Sequence, residues 1–249
     1  MTAQLRSELL KQRTTRTNRL LLAWMAGLAV AVVALHIFSF STGALAREAN
    51  QMKILGLGTS LGALFAALLG AMSITGEFRS GTIRPTFLVT PRRGRVIAAK
   101  ELAGVAAGAG IGLLAAALTA GAEAAGLAAR GVHVQLAAGD YAQFLAGAAL
   151  GAALFAAIGV GVGAMVRNQV AALVGLCVWL LFAEPLLLAD VPSAARYAPE
   201  AAAGAIAGAI QSQIADSLLA PAVGVLLLAA YAALIAWAGA LLVNRRDVD

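Results

Sequence analysis

Read for polarity alone, the chain is a series of long apolar runs separated by short polar breaks. Six runs, at 20–40, 54–74, 102–122, 141–166, 170–189 and 219–243, each have the length to cross a bilayer. Crossing ~30 Å of hydrocarbon takes about 20 apolar residues at ~1.5 Å per helical residue. Apolar residues are continuous in these runs instead of alternating with period two, so the pattern predicts helices and not barrel strands. The expected fold is all-α and polytopic, one membrane domain over 1–249. A polar tail occupies 1–19, and longer polar segments lie at 75–101 and 190–218. Ala44-Leu45-Ala46 has the form of a signal-peptidase site. A secretory apolar region is only about 7 to 15 residues long, however, so the first run reads as an uncleaved helix.

Charge sets an orientation on this frame. Six crossings put both ends on one side, together with 75–101 and Arg167, and that side carries 14 of the 18 basic residues. The other four are Arg47, Lys53, Arg130 and Arg196. By the positive-inside rule both termini are cytoplasmic. Glu48, Glu123, Asp140, Asp190, Glu200 and Asp216 fall on the outer side in this arrangement. Composition agrees: the chain is 61% hydrophobic and 12% charged, against roughly 45–50% and 25% for a soluble domain. The net charge of +6 is placed between apolar runs, where orientation explains it, so no nucleic-acid partner is expected.

The residues that could carry chemistry are few. A phosphate-binding loop needs a glycine-rich turn ending in Gly-Lys-Ser/Thr, whereas Lys11, Lys53 and Lys100 follow Leu10, Met52 and Ala99. Any ATP-driven motor is therefore expected on another polypeptide. His36, His133 and Cys177 lie in different segments without metal-ligand spacing. Gly58-Thr59-Ser60-Leu61-Gly62 matches the G-x-S-x-G string of serine hydrolases, and His36 falls at a similar depth in the first run. An intramembrane hydrolase using Ser60 and His36 is thus one alternative, although the string belongs on a strand-to-helix elbow and here lies in a helical run. Paired glycines such as Gly58/Gly62, Gly108/Gly112, Gly147/Gly151 and Gly159/Gly163 favour tight helix packing.

Glu184 lies within the fifth run, followed by Pro185. Either the acid belongs to a transport path, as His36 in a water-filled cleft would, or it sits shallow and Pro185 ends the helix. Between Pro85 and Pro91, the 75–101 segment predicts a short helix of roughly 83–90, with Ile83, Phe87 and Leu88 on one face. Such a helix docks into a partner's groove or lies at the lipid interface. A non-catalytic membrane scaffold that binds a partner through this loop is a further alternative.

Glu77-Phe78-Arg79-Ser80-Gly81-Thr82-Ile83, followed by Thr90-Pro91-Arg92-Arg93 and Lys100, resembles the segment between the second and third helices of type 2 ATP-binding-cassette exporter permeases. Leu5-Arg6-Ser7-Glu8-Leu9-Leu10-Lys11 with Thr14-Thr15-Arg16 is similar to the amphipathic helix that these subunits lay along the inner membrane face, and Asn244-Arg245-Arg246-Asp247 to their ending. The resemblance implies ATPase coupling through Glu77, Phe78, Arg79, Gly81, Thr82, Ile83, Arg84, Phe87 and Leu88. It assigns Glu8, Lys11 and Arg16 to the inner-face helix. It also implies a bacterial inner-membrane transport subunit with no cofactor of its own, whose separate ABC ATPase subunits hold ATP and Mg. A second permease, copy or paralogue, completes the channel among the membrane lipids. Short outer helices within 190–218 cap the pathway in this family, and the apolar run 201–210 fits one. Export of a hydrophobic or amphiphilic compound, whether drug, antibiotic or lipid, by alternating access is the implied function.

Overall fold

The computed structural model describes residues 2–83, 85, 88, 93–208 and 219–245. Among them the regular structure is helical throughout: α1 Thr2–Thr14, α2 Arg16–Ser39, α3 Thr42–Leu45, α4 Glu48–Ser80, α5 Arg93–Ala129 and α6 Ala138–Val166. There follow α7 Gln169–Val178, a π turn Trp179–Ala183, α8 Glu184–Asp190, α9 Pro192–Ala195, α10 Pro199–Ala207 and α11 Pro221–Arg245. Six of the described helical stretches are long and apolar enough to cross a membrane, namely α2, α4, α5, α6, the continuous run α7 to α8, and α11. Each expected span coincides with one of them, the first running one residue past the end of α2 and the last beginning two residues before α11.

The bundle is built around α4 and α6, the two most buried spans, with α5 against both. Glycine makes the central crossing possible. A Cβ on Gly70 would collide with the Ala156 carbonyl, and one on Gly159 with the Ala67 carbonyl, so the two backbones touch where the sequence has no side chains. α2, the α7 to α8 run and α11 lie outside this core and turn most of their apolar surface outward.

Three features differ from the sequence expectation. α4 has 33 residues and α5 has 37, about 50 and 55 Å of helix, so the apolar runs mark only their middles. Polar residues at 76–80 and 93–101 continue these helices beyond the hydrocarbon, and Gly81, left-handed at φ 70°, ends α4. Second, α5 continues past position 122, and Glu123, expected on the outer surface, is wholly buried. Third, of the two readings left open at Glu184-Pro185, the one in which Pro185 ends the helix does not hold. Proline removes one backbone donor, and the π turn just before it accommodates that loss while the helix runs on to Asp190.

At the end remote from α1, side chains tie the connections down. Arg130 donates to the Ile37 and Phe40 carbonyls at the end of α2, each at 3.2 Å. Buried Gln51 donates to the Leu45 and His133 carbonyls and accepts from the Gln135 amide. The short helix α10 is sunk into the bundle, with every residue from Ala201 to Ala207 buried against α4, α6 and α11. Gly147 leaves room for it, because a Cβ there would strike the Ala207 backbone.

Candidate functional site

α1 and α2 meet at a sharp corner. Thr15, extended at φ −68° and ψ 121°, separates them, and its hydroxyl donates to the Lys11 carbonyl at 2.6 Å while Asn18 donates to the Gln12 carbonyl. The corner lays α1 against α5 and buries Glu8, of which 5% is exposed. Glu8 meets two other buried charges there. Lys100 of α5, 1% exposed, donates to Glu8 Oε2 at 2.8 Å, Glu77 Oε1 at 2.7 Å and the Ser73 carbonyl at 3.2 Å. Lys11 donates to Glu8 Oε1 at 2.8 Å and Glu77 Oε1 at 2.9 Å. Two carboxylates and two ammonium groups thus close a neutral ring joining α1 to the ends of α4 and α5 that flank 81–92. Burial alone would push the Glu8 carboxyl up, but Lys100 and then Lys11 hold it below its ordinary value. Lys11 is likewise disfavoured by burial and raised on balance by its bonds to Glu8 and Glu77.

The ring forms one wall of a polar cleft of about 590 Å³. Arg79, Ser80, Thr82 and Pro85 line its far side, and the Ser80 and Thr82 hydroxyls lie 2.9 Å apart. Ile83, Pro85 and Leu88 are helical. Ile83 is buried whereas Leu88 is 84% exposed, so these two do not share a face. Arg84 and Phe87 lie outside the described residues. Arg16 is exposed and makes no contact with the ring.

The resemblance placed Glu77 in the coupling segment, where Arg79 is the cation nearest to it in sequence. Arg79 is exposed, and the pairing is with Lys100 and Lys11. Lys100, counted there as a loop cation, is the centre of the ring. Arg167 was missed as a site residue. It stands at φ 58°, a left-handed conformation uncommon outside glycine, stacks on Phe78 at 5.1 Å and donates to the Leu242 carbonyl at 3.5 Å. It therefore joins α6 to the ends of α4 and α11. A non-glycine residue directly after a long apolar run is the only sequence signal it leaves.

Glu184 and His36 are not brought together. Glu184 is wholly buried, accepts from the Trp179 indole at 2.6 Å and accepts from the Glu200 amide at 2.8 Å. Ala198, just before α10, has no capping side chain, and Glu184 supplies the missing acceptor from another helix. His36 Nδ1 pairs with the Val32 carbonyl of its own helix at 2.9 Å. Ser60 bonds the Glu200 carboxyl and lies in uninterrupted α4, where Gly58 packs on Thr119 and Gly62 on Gly112. The strand-to-helix elbow of a hydrolase is absent from this part of the chain, so the string works as a packing face.

A second cavity, of about 500 Å³, opens between α6, the α7 to α8 run and α11. Phe155, Ile158, Leu180 and Ile235 line it with Trp179 and Tyr231. The Trp179 indole is committed to Glu184 and the Tyr231 hydroxyl to the Tyr197 carbonyl, so the surface left to a ligand is apolar.

An all-helical bundle of six candidate spans, with a buried charge ring at one end and an apolar cavity in its wall, defines a multi-pass membrane protein. Residues 7–238 match the family described as ABC-2 family transporter protein, and the chain belongs to that family. It is accordingly a membrane subunit of an ABC transporter, a family that works with ABC ATPase subunits. A comparison with curated proteins gave no significant match.

Proposed function

We propose that this chain is the permease of an ATP-driven exporter of hydrophobic or amphiphilic compounds in the bacterial inner membrane, with its α1 end in the cytoplasm. The observation that carries the reading is the ring of Glu8, Lys11, Glu77 and Lys100, which fastens α1 to both helices flanking 81–92. A separate ATPase subunit docks at the polar cleft and the adjoining 82–88 segment. Movement of that segment passes through the ring into α4 and α5, and the spans of two paired permeases rock between inward and outward openings. The outward-turned apolar faces of α2, the α7 to α8 run and α11 support pairing and lipid contact. ATP and Mg stay on the partner subunits. The basic residues around α1 support the orientation. The apolar cavity, within the 300–1,000 Å³ range of ligand sites, supports a hydrophobic solute, whereas Glu184 serves as a brace beside it.

The test is ATP-driven accumulation of an amphiphilic dye in inverted vesicles holding the permease with its ATPase. Wild type accumulates the dye. Glu77→Gln weakens two charge-assisted bonds without changing shape, so it keeps assembly and lowers dye moved per ATP hydrolysed. Unchanged coupling in Glu77→Gln would sink the ring's role, and accumulation of polar solutes alone would overturn the substrate class.

A further inference from the structure

The face of α1 beside the ring borders another crevice, of about 430 Å³, enclosed with α2, α4 and α5. Its floor is apolar, formed by Leu22, Leu69, Ile111 and Leu114. Its mouth is basic: Arg13 and Arg19 line it, both are exposed, and neither forms an ion pair among the described residues. Gln12 lies between this crevice and the polar cleft, and both its amide nitrogen and its amide oxygen are buried without a hydrogen-bond partner. Buried polar atoms are ordinarily satisfied, and the Gln12 amide gains partners when its side chain turns toward a polar group in the crevice that the residue lines. From Ala106 to Leu114 the floor follows α5 for about 12 Å toward the middle of the membrane.

We propose that this crevice binds one anionic phospholipid from the leaflet on the α1 side, with its phosphate between Arg13 and Arg19, a headgroup oxygen on the Gln12 amide and an acyl chain along the floor. Charge at the mouth matches the phosphate, and the apolar depth matches the chain. A free phosphate meets only half of these features. Gln12 is one helical turn from Glu8, on nearly the same face of α1, so the lipid braces α1 beside the ring. The proposal concerns lipid binding and stands whether or not the transport reading holds.

Native mass spectrometry of the purified full-length chain, titrated with phosphatidylglycerol or with phosphatidylcholine of the same acyl chains, tests it. Basic residues at a membrane surface act roughly additively, and two of them give about a thirtyfold preference for the anionic lipid. R13Q/R19Q should abolish that preference. R6Q/R95Q removes the same charge from exposed positions outside the crevice and should keep it. Gly110 lines the floor with open space where a side chain would go, so G110L should fill the crevice without disturbing packing and release the lipid with both arginines intact. Equal loss in R6Q/R95Q would show diffuse surface attraction and overturn the site. Equal retention of the two lipids by wild type, or tight phosphatidylglycerol binding by G110L, would also overturn it.

Discussion

Replacing Lys100 with methionine tests the charge ring most directly, because the two side chains have similar length and only the ammonium is lost. Lys100 is 1% exposed and donates to both glutamates and to a backbone carbonyl. Without it, Glu8 and Glu77 share a buried site with only Lys11, whose side chain is 49% exposed. Removing one partner of a buried pair costs about 3–5 kcal/mol, chiefly because the remaining charge stays desolvated. An exposed pair would cost about 0.2–1 kcal/mol, so burial decides the expected size. The assay is reversible unfolding of the purified permease in mixed micelles, for K100M and for the triple variant E8M/E77M/K100M. K100M should lose about 3–5 kcal/mol, and the triple variant should recover most of it, since apolar replacement of a buried ion cluster is often neutral or stabilising. A K100M loss below about 1 kcal/mol would refute the reasoning, because it would place the ring in the surface class.

Docking of α1, followed by a fluorophore on a cysteine at Ser7 in a Cys177→Ala background, should be flat between about pH 5 and 10 and fall at both extremes. The lowered Glu8 contributes above its ordinary 4.5 and loses that contribution as pH falls through the folded value. The raised Lys11 contributes below 10.5 and loses it as pH rises through its own folded value; an acid limb unchanged by E8Q would contradict this. Gly159→Ala should destabilise by about 1–3 kcal/mol in the same unfolding assay, because its Cβ meets the Ala67 backbone, while Gly121→Ala, facing open space, should be neutral or slightly stabilising. Glu184→Gln places an amide where two donors converge, so either Trp179 or the Glu200 amide loses its acceptor at about 1–3 kcal/mol. Tryptophan emission in a W24F/W237F background should shift if the indole is the one released. Cysteines at Ser7 and Ser80 should be shielded from an impermeant thiol reagent in intact cells and one at Ser41 should react; labelling at Ser80 from outside would invert the topology.

Local pattern was enough for the spans. Each apolar run becomes a helix because a chain in hydrocarbon must satisfy its own backbone within the segment, a constraint that acts on consecutive residues. The family motif was legible for the same reason, since Glu77 to Ile83 lie side by side. Helix length escaped that reading. Polarity changes at 75 and 102 mark where hydrocarbon ends, whereas α4 and α5 continue as far as capping and packing allow. Pro185 left two readings open for a similar reason, because whether one missing donor ends a helix or is absorbed by a π turn depends on the neighbours that hold the helix in place.

What the sequence by itself determined is thus the helical class, the number of crossings, the basic asymmetry and the family. Tertiary structure alone decided which charges meet. Glu8 and Lys100 are 92 residues apart, and nothing in either neighbourhood names the other. Lys100 counted as one more basic loop residue until folding buried it between two carboxylates. The same holds for Glu184, whose partner is the amide at the start of a helix 16 residues on, and for Gln12, which lines a crevice walled by four helices. Periodicity reports the side of one helix that a residue occupies, but a buried charge is made tolerable by a partner from a different helix, and that pairing exists only once the helices are packed.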